Sequence, residues 1–88
     1  MQIPQEKFFD GLGFERIEMH YLCGVYVCYK SPAGEYFRID HFSNVYVIEY
    51  AENEKQAKGN GFDDGELFDD SLPEDELIRQ IQEAIRNG

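Results

Sequence analysis

From Ile17 to Tyr29 every odd position is apolar or aromatic: Ile17, Met19, Tyr21, Cys23, Val25, Val27 and Tyr29. The even positions between Arg16 and Lys30 are mixed, with Glu18, His20, Leu22, Gly24, Tyr26 and Cys28 among them. A period of two belongs to a strand, whose successive side chains point to opposite faces, and not to a helix, whose face recurs every three or four residues. The run is longer than the usual strand of about 5–6 residues. It therefore divides into two strands, about 15–21 and 25–30, with a turn or bend at Cys23-Gly24. One long bent strand is the competing reading.

More strands follow. Ser31-Pro32-Ala33-Gly34 has proline second and glycine fourth, as a tight turn prefers. Phe37 and Ile39 alternate with Tyr36, Arg38 and Asp40 over 35–41, and Val45 to Ala51 is nearly continuous in apolar character. Short turns between such strands imply antiparallel neighbours. Before the sheet, Pro4 and the spacing of Phe8, Phe9 and Leu12 predict a short helix over 4–12, stopped by Gly11 and Gly13. After it, Ala51 to Lys58 suits one or two helical turns, broken by Gly59-Asn60-Gly61. Residues 59–71 read as an acidic loop pinned by Phe62, Leu67 and Phe68. Ser71 and Glu74 have capping-box spacing, and Leu77, Ile78, Ile81 and Ile85 form the stripe of a C-terminal helix over 72–86. The predicted fold class is α+β: an antiparallel β-meander of three to four strands over 15–51, with a short N-terminal helix and a C-terminal helix packed on one face.

At 88 residues, the chain has room for a single hydrophobic core and so for one domain, 1–88. Its formal net charge of −10 argues against nucleic acid as a partner, because phosphate binders present a basic surface. Residues 51–88 hold 4 basic and 11 acidic side chains, so most of the charge lies after the predicted sheet. No apolar run approaches the ~18 residues of a membrane span, and Glu6, Asp10 and Glu15 interrupt any secretory leader. Two cysteines, Cys23 and Cys28, are too few for a disulfide scaffold of this size. The expectation is a cytoplasmic protein with both thiols free.

Three groups of residues carry chemistry-bearing types. His20, Cys23, Cys28 and His41 are zinc-ligand types, but their spacing is poor and they come from separate strands, so no metal site is predicted. Asp63, Asp64, Glu66, Asp69 and Asp70 are dense oxygen donors. Aligning Gly65 with the glycine of a calcium loop, however, puts Phe62 where a ligand must stand. Either cysteine with either histidine could pair a nucleophile with a base, yet no phosphate-cradling glycine loop or paired-carboxylate spacing accompanies them. No catalytic residue and no cofactor is therefore predicted; the chain is read as not an enzyme.

What remains is binding. If the helices cover the odd-face residues, the other face of the sheet carries Arg16, His20, Tyr26, Tyr36 and Arg38, residue types that protein interfaces enrich. The acidic loop offers a second surface in Asp63, Asp64, Glu66, Asp69 and Asp70, suited to a basic protein partner. The predicted function is non-catalytic protein binding, with an immunity-type inhibitor of a basic partner as its sharpest form. The alternatives are a small-ligand or metal-ion binder, or a structural homodimer that buries its second sheet face.

Overall fold

The computed structural model describes residues 3–87. A five-stranded antiparallel sheet runs in chain order through β1 (Glu15–Tyr21), β2 (Gly24–Lys30), β3 (Tyr36–Phe42), β4 (Val45–Ala51) and β5 (Asp63–Asp69). A short helix α1 (Glu54–Lys58) joins β4 to β5, a single 3-10 turn (Gln5–Phe8) precedes the sheet, and α2 (Glu74–Asn87) follows it. The α+β class and the meander are as the sequence predicts, but there are five strands rather than three or four. The N-terminal helix shrinks to one turn, and α2 starts two residues late, opened by the Leu77 N–H donating to the Pro73 carbonyl. Ser71 lies outside the helix, its N–H held by Asp69 Oδ1 at 2.9 Å.

The acidic segment expected to be a loop forms β5. Its register against β4 runs Val45↔Asp69, Tyr46↔Phe68 and Val47↔Leu67, then slips before Glu49↔Asp64 and Tyr50↔Asp63. The slip is a bulge, with Gly65 and Glu66 opposite Ile48. A Cβ on Gly65 would stand 3.0 Å from the Ile48 carbonyl oxygen, so glycine permits this close approach. Aspartate and glycine are poor strand formers; the pairing with β4 and the buried Phe68 hold the segment extended.

Two faces result. The inner face is covered by the 3-10 turn and α2: Phe8, Phe9, Tyr29, Phe37, Tyr46, Ile48 and Phe68 pack with Leu77, Ile81 and Ile85 in one core. Phe9 stacks on Tyr29 with ring centres 4.1 Å apart. The predicted α2 stripe is the buried one, and each fully buried leucine or isoleucine on it contributes about 1.5–3 kcal/mol. The outer face has a smaller core of Met19, Cys28, Tyr36, Ala51 and Ala57, and α1 covers only that end of it.

The sheet is not evenly knit. β1 and β2 pair at seven positions and β3 and β4 at seven, but β2 meets β3 only at Tyr29↔Phe37 and Lys30↔Tyr36. Beyond those two pairs the strands part. Gln5 enters the parting, and its Oε1 accepts from the Ile39 N–H at 2.6 Å, in place of a β2 carbonyl.

Candidate functional site

The covered end of the outer face is organised by Arg38. Its Nε donates to Glu49 Oε1 at 2.5 Å and its Nη1 to Asn60 Oδ1 at 2.9 Å. Its guanidinium carbon lies 4.1 Å from the centre of the Phe62 ring and 5.1 Å from that of Tyr26. Stacking on two rings satisfies the planar cation where it is half-buried. The Tyr26 hydroxyl donates to the Ala57 carbonyl, tying α1 to the sheet. Burial pushes the Glu49 carboxyl above its ordinary range, Arg38 pulls it back, and Asp40 and Asp64 push it up further. Burial likewise raises the Cys28 thiol and the Tyr26 hydroxyl. A thiol held protonated in an apolar core is inert, so Cys28 packs rather than reacts.

The other end of the outer face is open. Cross-strand register sets its side chains in three rows across β3, β4 and β5: Phe42–Val45–Asp69, Asp40–Val47–Leu67 and Arg38–Glu49–Asp64. Val47 at the centre is fully buried, while Phe42 and Leu67 beside it are 48% and 62% exposed. Asp40, Asp64 and Asp69 surround them and are exposed. This is an apolar patch in a frame of carboxylates, with no covering element among the described residues.

The single binding face expected of Arg16, His20, Tyr26, Tyr36 and Arg38 does not form. The turn between β1 and β2 has two residues, Leu22 and Cys23, so Tyr21 pairs with Gly24 and odd positions of β1 share a face with even positions of β2. Parity is inverted across the turn. Arg16 and His20 lie at the exposed edge of the inner face, where Arg16 stands opposite Tyr29 in the strand register. Tyr26, Tyr36 and Arg38 lie on the outer face, with Tyr36 buried and the other two locked into the Arg38 cluster.

The acidic residues are also divided. Asp64 and Asp69 point to the outer face, Asp63 accepts from Gln56 Nε2 at 3.3 Å, and Glu66 sits in the bulge facing α2. Asp70 leaves the strand, and its carboxylate Oδ2 accepts from His41 Nε2 at 2.9 Å, the imidazole lying stacked on Tyr46 with ring centres 4.3 Å apart. These residues, with Ile3, Leu72, Glu74 and Leu77, line a groove of about 430 Å³. Among the described residues that line it there is no Ser, Thr, Cys or Lys. Phe42 and Leu67 were not singled out as partner-facing from sequence; the bulge that turns Leu67 outward leaves only an isolated glycine as its signal.

Cys23 is exposed in the turn and Cys28 is buried, and both are free. Among the described residues, no three His, Cys, Asp or Glu side chains are grouped so as to hold a metal ion. Among the same residues, no helix is long and apolar enough to cross a membrane. Compared with known proteins, the chain matches no family model, and neither a curated protein nor a solved structure is similar to it.

Proposed function

We propose that this is a non-catalytic binding protein whose partner is a basic protein, docked on the open end of the outer face. The observation that carries the reading is Phe42 and Leu67 standing exposed beside a buried Val47, framed by Asp40, Asp64 and Asp69. An apolar centre excludes water and holds a partner; a charged rim speeds encounter and selects its sign. The net charge of −10 extends that selection over the whole surface. It also disfavours a second copy as the occupant, because two such faces would bring like charges together. Inhibition of a basic enzyme, in the manner of an immunity protein, is the sharpest form of the proposal.

The test uses tagged wild-type protein and an Asp64→Lys/Leu67→Lys variant in parallel pull-downs from host lysate at low and moderate salt. A stoichiometric basic partner is expected, weakened by salt and lost with the variant. Capture that is equal for both proteins, or indifferent to salt, overturns the proposal.

A further inference from the structure

The parting of β2 from β3 leaves a strand edge inside the sheet. In the β1–β2 hairpin the pair flanking the two-residue turn, Tyr21↔Gly24, is the hydrogen-bonded one, so the even residues of β2 bond to β1. The odd residues Val25, Val27 and Tyr29 turn their backbone N–H and C=O the other way. Tyr29 meets Phe37 of β3; Val25 and Val27 meet no strand among the described residues. On the β3 side the matching Ile39 N–H is already satisfied by Gln5. Val25 is 60% exposed and Leu22, at the hairpin tip, 88%. Exposed strand edges are managed in folded proteins by charge, proline or a cover. β5 carries four acidic residues on its edge, but the free stretch of β2 is Val25-Tyr26-Val27 and has none.

We infer that this stretch of β2 takes up one extended segment of the basic partner as an added strand. The inference rests on the function proposed above and specifies the form of the partner. Backbone groups spaced along an edge are matched in register by an added strand. Period-two alternation then dictates the segment's side chains. Those opposite Val25 and Val27 lie on the inner side, beside valine, and are apolar. Those opposite Tyr26 point outward to the cleft where the exposed Asp40 stands, Glu49 there being paired with Arg38, and are basic. That cleft, about 280 Å³ between Tyr26 and Val27 on one wall and Arg38, Ile39 and Asp40 on the other, gives their stems room. A second copy of this chain would bring an identical net charge of −10 to the same edge, so a basic strand is the complementary occupant.

The probe is a short capped peptide alternating valine and lysine, beside the same peptide N-methylated at the amides that would face β2. Binding is read by fluorescence anisotropy, and amide hydrogen exchange is followed residue by residue. In the free protein the Val25 and Val27 amides exchange fast while Gly24, Tyr26 and Cys28 are protected. The peptide slows exchange at Val25 and Val27, and N-methylation weakens it by about tenfold or more, the equivalent of roughly 1.4 kcal/mol. Equal binding of both peptides, or no binding, overturns the added strand, as does protection of Val25 and Val27 before any peptide is present. If Asp64→Lys/Leu67→Lys abolishes binding of both peptides while methylation changes nothing, docking on the open face stands and only the edge is refuted. Concentration-dependent protection without peptide assigns the edge to self-association and overturns the inference.

Discussion

The inner and outer faces of this sheet are built from the same strands, yet they handle polarity in opposite ways. The inner face is a continuous apolar and aromatic core closed by α2, in which the buried Tyr46 hydroxyl is satisfied by accepting from the Ile3 N–H at 3.1 Å. The outer face keeps a half-buried ion pair, Arg38 and Glu49, under α1 and leaves its other end bare. The difference teaches where each property resides: cohesion on the inner face, local specification under α1, and exposed apolar surface where neither helix reaches.

That contrast can be broken by substitution. Ile81→Ala opens a cavity in the fully buried inner core and is expected to cost about 2–5 kcal/mol in a urea melt; a loss below about 1 kcal/mol would mean the inner core does not dominate. Arg38→Met strands the half-buried Glu49 carboxylate and is expected to cost about 1–3 kcal/mol. Adding Glu49→Leu should return part of that loss, and the double-mutant cycle should show coupling of about 0.5–3 kcal/mol. Additive costs would reduce the pair to a surface contact. Phe42→Ser and Leu67→Lys, on the open end, should shift stability by no more than about 0.5 kcal/mol while abolishing partner capture. A large stability loss from either would show that the open end belongs to the core.

The smallest effects concern protons, and they differ in sign. The Glu76 carboxyl on α2 is lowered from 4.5 to about 2 by hydrogen bonds from Arg79 and Gln80. The unfolded chain binds that proton more tightly, so the contribution of Glu76 is present above 4.5 and lost as pH falls towards about 2. Glu49 is raised by burial, so the native chain holds its proton more tightly. Its contribution is full below the ordinary glutamate range and fades as pH rises through the raised value. Chemical-denaturation curves across acid pH should therefore flatten below 4.5 for Glu76→Gln and gain relative stability above it for Glu49→Gln. The same direction of change in both variants would contradict the assignment.

Much of the fold was legible residue by residue. The alternation at Ile17–Tyr29, the Ser31–Gly34 turn and the Leu77, Ile81, Ile85 stripe each report a local conformation through side-chain period or backbone preference, and each is found in place. β5 was not legible, because Asp63, Asp64 and Gly65 are poor strand formers and the bulge at Gly65 hides the alternation of Leu67 and Phe68. Its extended form comes from pairing with β4, a partner some twenty residues away in the chain.

The candidate site followed the same division. Sequence alone determined that the chain is acidic, that its fold is α+β with an antiparallel meander, and which helix stripe is buried, because charge, period and turn preference are properties of near neighbours. Only the tertiary structure decided which residues share a face. A two-residue turn at Leu22-Cys23 inverts side-chain parity between β1 and β2, which sends Arg16 and His20 to one side and Tyr26 to the other. A bulge at Gly65 then sets Leu67 beside Val47, opposite the core that holds Phe68. Faces are fixed by register between strands, and register is a relation between distant segments that no single window of sequence contains.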